Sequence, residues 1–187
     1  MFPIGDDNSE ITITPVVNYL FIGLNVLVFV LLQGLGSNES FSYAYALVPK
    51  EVTTGIDITG IQIVRDSLGN TGEVPHYATA LPVYFNFLSS MFMHGDFMHI
   101  IGNMMFLWIF GDNLENLLGH IRFAAFYIAC GIAAALAQIF MDGDSVIPML
   151  GAWRSRWPRR WARSPACWVA TYFCFRKGRF GRSYSIS

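Results

Sequence analysis

MFMHGDFMHIIGNMMFLWIFGDNLENLLG, residues 91–119, is the stretch on which the reading of this chain turns. From about residue 97 to 118 it is long and apolar enough to cross roughly 30 Å of hydrocarbon, which takes about 20 residues. It nevertheless carries His99, Asn103 and Asp112. His99 and Asn103 stand four apart, so on a helix they share one face. A His and an Asn facing lipid would be costly, and such groups turn towards a bundle interior or a wet cavity. Gly102 beside them allows another helix to approach closely. The pair offers two hydrogen-bond donors towards one point, which suits a developing oxyanion. Polar pairs of this kind also serve as hydrogen-bonding glue between membrane helices, and the residues alone leave both readings open. His94 and His99 are five apart, the wrong spacing for two metal ligands on one helical face. No Cys or second ligand pair completes a zinc site, so no zinc site is expected. His94 with Gly95 ends the incoming loop and orders the mouth of the cavity. Glu115 is either a solvated charge or a partner of the loop leading to Arg122.

Two further stretches have the length of a span. Residues 16–35, VVNYLFIGLNVLVFVLLQGL, follow Pro15, which suits an early helical position. Asn18, Asn25 and Gln33 are their strongly polar members. A cleaved signal peptide would want a basic n-region and a small-residue cleavage site, whereas MFPIGDDNSE is acidic. Residues 121–141 carry Gly131 and Ala135 four apart, as close helix packing in lipid favours. Between the first two spans lies a long loop, residues 36–96. Its first part is rich in Ser, Thr, Gly and Asp. Its last part, residues 80–93, is apolar, contains Pro82 and is too short to span, so it suits the interface or a partial dip into the bilayer. The few Lys and Arg leave the direction of insertion undetermined.

Composition agrees. Of 187 residues, 53% are hydrophobic and 13% charged, against about 25% charged in soluble domains. The length fits one domain. A disordered chain, a disulfide scaffold (there are three Cys) and a nucleic-acid binder resting on global charge are excluded. The net charge of −1 conceals a split: residues 1–152 sum to −10, and residues 153–187 to +9 with no acid and four of the five Trp. The expectation is a membrane protein over residues 1–152 joined to a foreign tail.

At this point the motifs resemble a known family. Phe92-Met93-His94-Gly95, then His99-Ile100-Ile101-Gly102-Asn103-Met104, then Leu107-Trp108-Ile109-Phe110-Gly111-Asp112-Asn113 with Glu115, are similar to the second-span signature of rhomboid intramembrane serine proteases. Phe2 to Asn8 and Phe41 to Pro49 also resemble prokaryotic members. The resemblance covers roughly residues 1–152. It implies an all-α, polytopic, rhomboid-like helical bundle in which only the first three of six spans are recognisable here. It implies a multi-pass protein of a prokaryotic cytoplasmic membrane, with the lipid bilayer and transmembrane protein substrates or clients as partners, and no nucleic acid. The activity implied is cleavage of transmembrane proteins by a Ser–His dyad, without metal or cofactor. The family's oxyanion donors fall on His99 and Asn103, and its loop-associated histidine on His94. Gly102, Glu115 and Gly151 fall on structural positions.

The sequence then departs from the family. Pro148-Met149-Leu150-Gly151-Ala152 leads correctly towards the Gly-x-Ser-Gly motif that opens the fourth span, but Trp153 stands where the Ser is expected. The tail that follows is no amphipathic surface helix: Pro158 and Pro165 break it, and its Arg and Trp residues hold no 3.6-residue period. Its longest apolar run, residues 166–175, is about half a span. A change of reading frame accounts for it with one event. Ala166-Cys167-Trp168-Val169-Ala170-Thr171 can be encoded by nucleotides that, read one position earlier, give Gly-Val-Leu-Gly-Gly-Tyr, the glycine-rich kind of sequence that follows the catalytic Ser in rhomboids. The base His of the sixth span is likewise missing, and neither His76 nor His120 stands in its place. The expected activity of the chain as written is therefore none. The alternatives are a proteolytically dead rhomboid-like protein that binds transmembrane clients, and a lipid- or nucleic-acid-binding role for the basic tail.

Overall fold

The computed structural model describes residues 12–65 and 71–150. Its frame is three long helical rods. The first is α1 (Val16–Leu27), which runs on without a break through a π-turn, Val28–Leu32. The chain then reverses through Gly34, Leu35 and Gly36, all with positive φ. Among the described residues Leu35, at φ 59°, is the one non-glycine residue in this left-handed region, where a side chain costs about 1–2 kcal/mol. Short α2 (Glu39–Ala44) follows, capped by Asn38, whose side chain accepts from the Phe41 N–H. Next comes α3 (Pro49–Thr54), with proline at its first position and left-handed Gly55 at its end.

The long connection, a loop by composition, also contains an antiparallel hairpin, β1 (Gly60–Arg65) with β2 (Thr71–His76), in register from Gly60 opposite His76 to Arg65 opposite Thr71. Its strands are short and β2 contains Pro75, so alternation gives little signal of either. A broken helical stretch follows, with α4 (Asn86–Ser89) at its centre. The second rod is α5 (Phe97–Phe106), a π-turn at Leu107–Gly111, and α6 (Asp112–Leu118). Gly119, at φ 78°, turns the chain directly into the third rod, α7 (His120–Met141). Beyond α7 the chain comes back to the long connection: Leu47 and Met149 exchange backbone hydrogen bonds, and the Lys50 N–H donates to the Ser145 carbonyl.

The chain is thus mostly helical. Its rods meet through an aromatic cluster in which Phe21 of α1 stacks on Tyr127 of α7 at 4.5 Å, with Phe92 and Phe123 at its edges. Phe29 meets Phe97 edge-on at 5.2 Å. The outward faces are apolar, including Leu20 and Leu31 on the first rod and Ile121 and Phe140 on α7. Among the described residues one helix, His120–Met141, is long and apolar enough to cross a membrane, and Val16–Leu32 is apolar but shorter.

Two glycines admit side chains from neighbouring elements. At Gly111 an added Cβ would overlap the Asn18 carboxamide, and at Gly131 it would overlap the end of the Met91 side chain. The Asn18 amide is buried and already donates to the Leu107 carbonyl at 3.0 Å, a bond that occupies a carbonyl in the π-turn. It has no room to yield, whereas Met91 is flexible. Gly111→Ala is therefore expected to lower stability by about 1–3 kcal/mol through overpacking. Gly131→Ala should come out near neutral, because Ala regains up to about 1 kcal/mol of helix propensity. Denaturation of both variants in detergent micelles checks the contrast.

Candidate active site

The N-terminus of α5 carries the polar constellation. Asp96 is extended and caps the helix, its Oδ1 accepting from the His99 N–H at 2.8 Å. His99 follows in the first turn, half-buried, and Asn103 lies one turn further on the same helix, also half-buried. The rings of His94 and His99 stand edge to face, 5.1 Å apart. The Nδ1 atoms of both rings are buried without a hydrogen-bond partner. Gly102 is exposed, and a Cβ there would meet nothing, so no described element makes the close approach expected at this glycine. Gly151 and Trp153, with the tail to residue 187, lie outside the described residues.

His94 lies in the turn before α5, 2% exposed. Burial first, and the neighbouring His99 second, push its pKa down from 6.5 to about 4, against the opposing pull of Asp96 and a backbone hydrogen bond at Phe92. The ring is therefore neutral at physiological pH. In the unfolded chain it protonates near 6.5. Above that pH both states are neutral and the group contributes no difference. As pH falls from 6.5 towards 4 the unfolded state takes up a proton that the folded state refuses, and stability drops. At 1.36 kcal/mol per unit the full effect is about 3 kcal/mol. Melting in detergent should show this acid-side loss, and His94→Gln should flatten it.

Glu115 is fully buried and is not a solvated charge. Its Oε2 accepts from the Asn18 N–H at 2.7 Å, and its Oε1 from the Val17 N–H at 2.9 Å and faces His120 Nδ1 at 2.5 Å. It thus caps α1, which has no side-chain cap of its own, and also bonds the turn that leads to Arg122. Asn116 beside it accepts from the backbone of Thr12 and Ile13. The sequence alone did not single out Asn116, raised His120 only to reject it as the base, and gave Gln33 no role. Gln33 holds the backbone of His94. Its signal was present: Asn18, Asn25 and Gln33 recur at seven- to eight-residue spacing in an otherwise apolar helix, and all three are buried. Among the described residues no group of His, Cys, Asp and Glu has the makings of a metal site.

Apolar outward faces over an inward set of polar side chains suit a helical membrane protein. Residues 82–154 match the Rhomboid domain family. The chain is 28% identical over 138 residues to the Rhomboid protease GluP of Bacillus subtilis, a match covering 74% of this chain and 22% of that protein. It is 30% identical over 134 residues to the mitochondrial Rhomboid protein 1 of Saccharomyces cerevisiae, covering 71% and 30%. It is 31% identical over 65 residues to RHOMBOID-like protein 5 of Arabidopsis thaliana, covering 35% and 21%. Over these segments the chain is similar to proteins of the rhomboid family. It spans between about a fifth and a third of the length of these curated relatives. No solved structure matches it.

Proposed function

We propose that residues 1–152 are the N-terminal part of a rhomboid-type intramembrane serine endopeptidase, and that the 187-residue chain itself does not catalyse proteolysis. The observation that carries the reading is the set at the start of α5: two histidine rings in edge contact with unpartnered Nδ1 atoms, and Asn103 one turn on along the same helix. In this reading His99 and Asn103 donate to the oxyanion of a scissile peptide, His94 braces the His99 ring, and Gly151 lies beside the nucleophile position. Trp153 occupies that position, and residues 153–187 are an out-of-frame product. The substrates of the in-frame enzyme are transmembrane proteins, met in the bilayer of a prokaryotic cytoplasmic membrane, with neither metal nor cofactor. The bridge between Leu47 and Met149 supports the reading, because it anchors the segment that leads to residue 153 on the long connection. A cleavage assay on the unaltered and frame-restored chains tests it.

Trp153 in place of Ser also favours a second reading, a proteolytically dead relative that holds transmembrane clients. The frame-restored sequence separates the two: Gly-x-Ser-Gly followed by further spans and a late His supports the enzyme. Either way the chain is expected to stay in the membrane pellet through carbonate washing, since its apolar faces favour lipid. Release into the soluble fraction would contradict both.

A further inference from the structure

We propose that Gln33 is a positioning residue for the site at the start of α5: its side-chain amide grips the backbone of His94 at two points and so sets where α5 begins and which way His99 and Asn103 face. The catalytic meaning of this role rests on the protease reading above; the geometry does not. Gln33 Nε2 donates to the His94 carbonyl at 2.9 Å, and Gln33 Oε1 accepts from the His94 N–H at 2.9 Å. The amide thus pairs with residue 94 as a neighbouring strand would. Its second N–H donates to Ser42 Oγ at 3.2 Å, so both donors are used. Gln33 is 1% exposed, and no water competes for these bonds.

The grip is firm at its own end as well. The Gln33 N–H donates to the Val28 carbonyl, and its carbonyl accepts from the Gly36 and Asn38 N–H groups. A residue held by its backbone at the end of the first rod therefore holds, through one short side chain, a residue 61 positions away. Two residues beyond His94, Asp96 caps α5 through the His99 N–H. A helix fixed at its cap has its phase fixed, and the directions of residues 99 and 103 follow from that phase. Side chains that must meet a developing charge tolerate little misplacement.

The test uses the 187-residue chain in detergent with ¹⁵N-labelled histidine; its four His make the ring signals assignable. Gln33→Met keeps the volume and removes all three hydrogen bonds. It is expected to shift the ring signals of both His94 and His99 and to speed exchange of the His94 amide. Asn116→Ala, which loosens the start of α1 instead, should lower the melting temperature and leave those rings unmoved. Gln33→Glu keeps the acceptor for the His94 N–H, so that amide should stay protected; this variant also stands in if Gln33→Met does not fold. Unmoved His94 and His99 rings in both Gln33 variants, with only a lower melting temperature, would overturn the positioning role. In the frame-restored enzyme Gln33→Met should lower kcat roughly ten- to a hundredfold with KM little changed. Inactivity of the frame-restored parent would overturn the protease reading instead, and the ring signals would still decide the role of Gln33.

Discussion

The 187-residue chain, mixed in detergent or liposomes with a labelled single-span rhomboid-type substrate, is expected to show no serine-inhibitor-sensitive cleavage. Acyl transfer of this kind needs a nucleophile and a base within hydrogen-bond reach. In the proposed reading Trp153 stands where the nucleophilic Ser is expected. The four histidines are otherwise engaged. His76, the last residue of β2, lies beside Glu51 at 3.8 Å, and His120 pairs with Glu115. His94 and His99 face one another at the start of α5. In a soluble serine protease, losing the nucleophile or the base costs on the order of 10⁶ in kcat. What remains here, a His and an Asn able to stabilise an oxyanion, has no attacking group to serve. Trp153→Ser alone should not restore cleavage, because no base accompanies it. Restoring the frame from about residue 153 should. In that restored enzyme His99→Ala or Asn103→Ala should each cost about 10²–10³ in kcat if they are oxyanion donors. Inhibitor-sensitive cleavage by the unaltered chain would sink the reading.

What could be read from the sequence, and what could not, divides by range. Apolar length and the four-residue step from His99 to Asn103 are local properties, and they suffice to draw a helix over residues 97–118 and to place those two residues on one face. The π-turn at Leu107–Gly111 leaves no such local mark. It is accompanied by Asn18, 89 positions away, which donates to the Leu107 carbonyl while packing against Gly111. Gln33 and His94 are 61 positions apart, and Glu115 is 97 from Asn18. A buried polar residue announces that it needs a partner, so Asn18, Asn25, Gln33 and Glu115 were visible as questions. Which partner each finds depends on how the rods are set against one another, and periodicity along one strand of sequence carries no information on that. The hairpin escaped for the opposite reason: its strands are short, and Ile61 and Ile63 point outward, away from any core that would enforce alternation.

Glu115→Ala is expected to cost about 2–6 kcal/mol, since two N–H groups at the start of α1 each lose their acceptor at about 1–3 kcal/mol. That is a large share of the roughly 5–15 kcal/mol that holds an ordinary domain folded. The loss has three parts. The N–H groups of Val17 and Asn18 lose their acceptor at the start of α1, and no local side chain replaces it. The negative charge that complements the positive end of that helix disappears. His120, which fixes the turn between α6 and α7, is released. Glu115→Gln separates these parts. With its oxygen in the Oε1 place it can still serve Val17 and His120, but its NH₂ then faces the Asn18 N–H, donor against donor, so about 1–3 kcal/mol should be lost, the cost of a buried group left unpaired. His120→Ala, at a half-exposed side chain, should cost less than either. The ordering Ala, then Gln, then the His120 variant follows from a carboxylate that joins the beginning of the first rod to the end of the second. Denaturation of the three variants in one detergent measures it. A Glu115→Ala chain that unfolds at the parent's midpoint would show that the junction contributes nothing.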